Sequence, residues 1–332
     1  PVITIIFPFN RNMQMLPILS RFAFAFAIAV SALPAHAQMS PPADFARPPP
    51  PGQMIDIGGR RLHILCKGDA KGPTVVIEAG LSQYTANATY GKVQNAVAPF
   101  ARVCTYDRAG LGWSEPAPQP RTYPAMVEDL HRLLAAAGLQ GPYVLVGHSM
   151  GGLLVRLYAR TWPADVAGVV LVDATSEPNF PETTAAEAAI VAQIDAAVHG
   201  ARPGVPIIGL PAGTPPETAM SFTPEILLAV KGEFQAFDRL PAEMKAPGGF
   251  GKLGDIPLVV IRRGRNEADP PDASDLSWRA AQEQLVGLST NSVLIVARNS
   301  GHVIPLDEPD VVAEGVRRVL DAIQSGHRLN AP

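Results

Sequence analysis

Ten consecutive residues, Tyr143-Val144-Leu145-Val146-Gly147-His148-Ser149-Met150-Gly151-Gly152, restrict the fold more than any other part of the chain. An apolar run rich in β-formers ends in Gly-x-Ser-x-Gly. It passes at once into a helical pattern carried by Leu153, Leu154, Leu157 and Tyr158. A strand, a tight turn and a helix in that order hold the serine on strained backbone above the end of a sheet. Gly147 and Gly151 are expected where a Cβ would meet the neighbouring strand and helix. The Met150 N–H, at the helix start, then points to a place suited to a negatively charged oxygen. An incidental serine in a glycine-rich turn would not need both flanks to be of the right kind.

The same alternation continues along the chain. A hairpin is expected over 53–68, turning at Gly58-Gly59. Buried strands are expected over 74–78, 102–106, 166–172, 257–261 and 292–297, and helices over 86–98, 123–137, 276–288 and 309–323. Strands alternating with helices predict the α/β class: a mostly parallel sheet with helices on both faces and the hairpin at one edge. The alternation stops between Ser176 and Gly254. That stretch reads as an Ala-rich helix over 185–198, a Pro/Gly loop over 201–216, and a helix opened by Thr223-Pro224-Glu225. The expected division is a core in two parts, 53–175 and 255–325, an inserted lid over 176–254 and a tail over 326–332.

The chain opens on Pro1, and translation is expected to start at Met13 or Met15. Arg21, the apolar run from Phe22 to Leu33 and Ala35-His36-Ala37 read as a signal peptide with an A-x-A cleavage site, closing residues 1–37. The run falls short of the roughly 18–20 residues that a spanning helix needs. Export to the periplasm or the medium is expected, with no stable membrane anchor after cleavage. Residues 38–52 read as an extended, Pro-rich linker with no core to join. The net charge of −3 and the lack of a basic stripe give no reason to expect nucleic acid as a partner.

A serine hydroxyl needs a histidine to take its proton and a carboxylate to fix that histidine's tautomer. Of seven histidines, His36 precedes the cleavage site, and His327 lies in the tail. His63 falls in the hairpin, His131 in a helix and His199 in the insertion, while His148 adjoins the serine. Only His302, in Asn299-Ser300-Gly301-His302, follows the last strand and can reach Ser149. Asp173 ends the strand after the serine's helix and is placed first as the acid; Asp269 and Glu267, after the next strand, are the alternatives. Two oxyanion donors are expected: the N–H groups of Met150 and of Leu81, with Gly80 letting the backbone come close. The spacing of Cys66 and Cys104 fits no metal motif.

With these residues in place, the chain resembles the α/β-hydrolase superfamily over roughly residues 54–325. It is most similar to bacterial serine hydrolases carrying Gly-His-Ser-x-Gly-Gly, Tyr-Asp-Arg-x-Gly-x-Gly-x-Ser and a late Ser-Gly-His. These stand here as Gly147–Gly152, Tyr106–Ser114 and Ser300–His302. The resemblance implies an eight-stranded sheet, a lid after the sixth strand, no cofactor or metal, and a triad of Ser149, an acid and His302. Two departures stand out. Ala79-Gly80 replaces the usual His-Gly. The seventh-strand acid is not cleanly placed, and Asp173 resembles the acid that follows the sixth strand in pancreatic-type lipases. The family's strand order would set Cys66 beside Cys104, which with export implies a disulfide. The implied activity is hydrolysis of small-molecule carboxylic esters through an acyl-enzyme on Ser149. Amidase, peptidase or acyltransferase chemistry would use the same triad, and a non-catalytic binding protein is the reading from another class.

Overall fold

The computed structural model of the protein describes residues 45–69, 72–81, 86–177, 185–207, 216–240, 244, 249–268 and 270–329. The expected signal peptide, the first part of the linker and Asp269 lie outside the described residues. Eight strands form one sheet: β1 (Gln53–Asp56), β2 (Arg61–Lys67), β3 (Val75–Glu78), β4 (Val103–Tyr106), β5 (Tyr143–His148), β6 (Val166–Val172), β7 (Leu258–Arg263) and β8 (Ser292–Ala297). Their order is β1-β2-β4-β3-β5-β6-β7-β8. β2 pairs antiparallel with β1 and with β4, and every other neighbouring pair is parallel. This is the eight-stranded, mostly parallel sheet that the resemblance implies.

Period-two side-chain alternation divides the core into two layers. Leu145, Val169, Leu171, Leu258 and Val260 face one way, onto α2 (Tyr123–Ala136) and α3 (Met150–Thr161). Val144, Val146, Val170, Val172, Val259 and Ile261 face the other way, onto α1 (Ala86–Val97) and α9 (Pro309–Ser325). Both faces are covered, so the central strands are apolar throughout. Each such side chain contributes about 1.5–3 kcal/mol on burial. Between β6 and β7 the chain forms α4 (Ala185–Val198), α5 (Pro216–Met220) and α6 (Pro224–Asp238). These three share a small core with the loop after β4: Ile194, Met220, Ile226, Leu227 and Val230 pack with Leu111 and Trp113. Two further α-helices among the described residues are α7 (Ala273–Leu285) and a short α8 (Ile304–Asp307). Among the described residues, no helix is long and apolar enough to cross a membrane.

Three local expectations are corrected. Strand β7 extends past Ile261 to Arg263, because Arg263 is buried and its charge is met by Asp173 and Asp275. A short helix not expected from the sequence, α5, starts at Pro216, the last residue of the expected Pro/Gly loop, and buries Met220. The described end of the linker does join a core. Phe45 packs against the α4–α6 cluster, the Trp113 indole N–H donates to the Pro48 carbonyl at 2.8 Å, and Arg47 donates to the Gly112 carbonyl and, at 3.2 Å, to the Met220 sulfur. Extended proline-rich backbone leaves its carbonyls unpaired, which suits it to accept from an indole at a surface. Cys66 and Cys104 lie opposite each other in the β2–β4 register and form a disulfide.

Candidate active site

Ser149 occupies the turn between β5 and α3 with φ 54° and ψ −124°. The turn is closed by backbone bonds. Ser149 N–H donates to the Val172 carbonyl at 3.1 Å, and Gly152 and Thr175 N–H donate to the Ser149 carbonyl at 2.9 and 3.0 Å. A Cβ on Gly147 would come within 2.6 Å of the Gly151 carbonyl oxygen, and one on Gly151 within 2.3 Å of that of Glu78. Only glycine lets α3 start this close to β3 and β5. As the first helical residue, Met150 has no partner for its N–H inside α3.

His302 lies in the turn between β8 and α8, and its Nδ1 is 2.7 Å from Asp173 Oδ2. Asp173 directly follows β6 and also takes the Arg263 N–H and Nη1–H, each at 3.1 Å. Burial works to raise the Asp173 carboxyl. The hydrogen bond and charge of His302, with Arg263, outweigh burial and hold it down at about 2. An ionised carboxylate only accepts, so His302 carries its hydrogen on Nδ1 and leaves Nε2 as the basic nitrogen. Trp278 stands edge-on to the imidazole with ring centroids 5.5 Å apart, which restrains the ring's tilt.

Asp173 is brought to His302 Nδ1, and Asp269 lies outside the described residues. Glu267 has its N–H bonded to Asp275 at 3.0 Å, and its Oε1 lies 3.9 Å from where a Cβ would stand on Gly301. The other described histidines go elsewhere. His63 pairs with Asp107 at 2.8 Å, His131 stacks on Trp162, and His199 and His327 are exposed.

His148, which the sequence marks only as adjoining the serine, has a place of its own in the site. Its Nε2 is 2.9 Å from the His302 carbonyl oxygen, which can only accept, so the hydrogen sits on Nε2. Its Nδ1 therefore accepts from the Tyr90 hydroxyl at 2.8 Å, and that oxygen accepts the Gly80 N–H at 2.9 Å. One chain of bonds thus joins the loop after β3, the serine turn and the His302 loop. Burial, then the nearby His302, lowers the His148 pKa to about 3, so this ring stays neutral.

A Cβ on Gly80 would stand 3.1 Å from His148 Nδ1 and 3.3 Å from Ser149 Cβ, so the Gly80–Leu81 peptide lies against the serine. The carbonyls of that loop are held by Arg108. Nη1 donates to Ala79 O at 2.8 Å and to Glu78 at 2.9 Å, and Nη2 donates to Gly80 O at 2.7 Å. Nε and Nη2 also donate to the two oxygens of Glu233 on α6, at 2.5 and 2.8 Å. Arg108 stands inside the Tyr106–Ser114 motif, which could have flagged it; Tyr90 and Glu233 carry no sequence signal of their own. Among the described residues, no group of three His, Cys, Asp or Glu side chains is placed to hold a metal ion.

Comparison with known proteins bears on the fold. The alpha/beta hydrolase fold family matches residues 73–197. A candidate carbamate hydrolase of Variovorax paradoxus is 30% identical over 282 residues, covering 82% of this chain and 98% of that one. YqjL of Bacillus subtilis is 29% identical over 259 residues, 77% of this chain and 87% of that one. Six further relatives are matched over only 19% to 37% of their own length. Among solved structures, a thermophilic esterase from Thermogutta terrifontis superposes with a TM-score of 0.59 at 19% identity, over 80% of this chain and 94% of that one. The chain belongs to the α/β-hydrolase superfamily.

Proposed function

We propose that the protein is a serine hydrolase that cleaves small carboxylic esters through an acyl-enzyme on Ser149. The observation that carries this reading is the 2.7 Å contact between His302 and Asp173, at the sheet end where Ser149 stands on strained backbone. In the proposed mechanism Ser149 Oγ attacks the ester carbonyl as His302 Nε2 takes its proton. Asp173 keeps Nδ1 protonated and stabilises the imidazolium that forms. The N–H groups of Met150 and Leu81 hold the oxyanion, the alcohol leaves with the proton from His302, and water then releases the acid by the same steps. Helices α4–α6 act as a lid that selects the substrate. The protein works outside the cytoplasm, as the N-terminal sequence suggests.

A second reading, cleavage of a carbamate or other C–N acyl bond, has the name of the Variovorax paradoxus relative in its favour. Both readings share the nucleophile. The test is labelling with a fluorophosphonate probe, mapped by peptide mass spectrometry, with turnover of an ester panel and a matched carbamate and amide panel. Adduct at Ser149 and ester turnover lost in Ser149→Ala support the proposal. No adduct and no turnover would leave a binding protein on a hydrolase fold. Carbamate turnover well above ester turnover would favour the second reading.

A further inference from the structure

We propose that Glu233, on a helix of the insertion, is a positioning residue for the oxyanion hole and acts through Arg108. The inference rests on the serine-hydrolase reading of the site. A guanidinium has five N–H donors. In Arg108 all five are committed: two to Glu233, one to Glu78, and one each to the carbonyls of Ala79 and Gly80. Nothing in this arrangement is solvent-exposed, since Arg108, Glu78 and Glu233 are all buried.

The consequence for the hole follows from peptide geometry. In a planar trans peptide the N–H points opposite to the C=O of the preceding residue. Arg108 draws the Gly80 carbonyl to its own side, so the Leu81 N–H faces the other way. The Gly80 N–H is taken by the Tyr90 hydroxyl, so both polar groups of Gly80 are held. The direction of the Leu81 N–H is therefore set by where the guanidinium stands. Glu233 holds two of the five donors with one carboxylate, a bidentate pair of the kind that fixes a guanidinium plane as well as its position.

Helix α6 is seated on the same loop as Arg108. A Cβ on Gly110 would come within 2.7 Å of Ala229 Cβ, so glycine there is what lets the helix approach. The helix that carries Glu233 is thus packed against the backbone that carries Arg108. The insertion does more than cover the site: through one carboxylate it completes the donor geometry beneath it.

The test compares wild type, Ser149→Ala and Glu233→Gln. It measures kcat and KM for p-nitrophenyl butyrate and the inhibition constant of phenylboronic acid, whose serine adduct is tetrahedral and places an oxygen in the hole. Loss of a whole oxyanion donor costs roughly 10²–10³-fold in kcat. A donor kept but misdirected should cost less. The expected result for Glu233→Gln is a kcat lower by on the order of 10- to 100-fold, with KM within about twofold, and boronate binding weakened by a similar factor. Glu233→Asp, which keeps the charge on a shorter arm, should recover part of both and carries the test if Glu233→Gln does not fold. A role limited to holding the lid would raise KM and leave kcat and boronate affinity alone, which would overturn the inference. If wild type turns over the ester and Glu233→Gln matches it, this inference alone falls. If wild type is inert and Ser149 takes no fluorophosphonate, the hydrolase reading falls and this one with it.

Discussion

Ser149 and Asp173 each follow one member of the paired residues His148 and Val172 at the ends of β5 and β6, and both hold positive φ, 54° and 40°. Among the described residues they are the two non-glycine positions that do so. Such backbone costs of order 1–3 kcal/mol per residue and persists where the surroundings over-determine it.

Ser149→Gly should relieve that cost at the turn. Glycine adopts positive φ freely but loses about 0.5–1 kcal/mol of backbone entropy on folding. The variant is expected to be more stable by about 1 kcal/mol and to have no esterase activity. Urea unfolding alongside Ser149→Ala, which keeps the strain, checks this; a glycine variant no more stable than the alanine one would contradict it.

Asp173→Asn keeps the shape and removes the acceptor that holds His302 in its working tautomer. A loss in kcat of roughly 10³–10⁴-fold is expected, the scale seen when such an acid is amidated. Glu267→Gln and Asp269→Asn should stay within about twofold of wild type. Ester kinetics on the three variants decide; collapse in either of the latter would move the acid to the loop after β7.

His148 makes stability fall with acid. Its ordinary pKa is 6.5 and its folded value about 3, lowered first by burial and then by His302. Between those values the unfolded chain binds a proton that the folded chain does not. Stability that is present above pH 6.5 is therefore lost as pH falls toward 3, by about 1.4 kcal/mol per unit from this group alone. Asp173 adds a loss of the same sign lower down, between 3.8 and about 2. His148→Gln should flatten the slope at weakly acid pH and leave the lower window in place. Urea midpoints across a pH series would reveal an unchanged slope if the assignment is wrong.

The Cys66–Cys104 bridge closes a loop with a sequence separation of 38. Chain-entropy arguments put its contribution at about 3–4 kcal/mol. The double variant Cys66→Ala/Cys104→Ala should lose about that much in urea unfolding, and reduction of wild type should lose a similar amount. A loss below about 1 kcal/mol would mean that the denatured chain is already compact there.

The sheet was legible because central strands buried on both faces are written as unbroken Val/Leu/Ile runs, and β6 falls on the residues read from its pattern, Val166–Val172. The serine turn was legible because steric limits at Gly147 and Gly151 leave no other residue type. The partner of His302 was not decided by pattern, since a carboxylate after β6 and one after β7 can both approach the same imidazole. Only the path of the chain separates them, and here Arg263 extends β7 and turns toward Asp173. Arg108 and Glu233 lie 125 positions apart, and no local periodicity records such a pairing. Phe45 and Pro48 look like linker in the sequence because proline content hides a single aromatic anchor.

That anchor ties residues 45–48 to the loop after β4 and to α5. Phe45, Arg47 and Pro48 grip Trp113, Gly112 and Met220, so a pull on the N-terminus is transmitted to the loop after β4 and to α5 before it reaches the sheet. Immobilising the protein by that end, or fusing a bulky partner there, would put tension on that loop and on α5, whereas attachment beyond α9 would leave them slack.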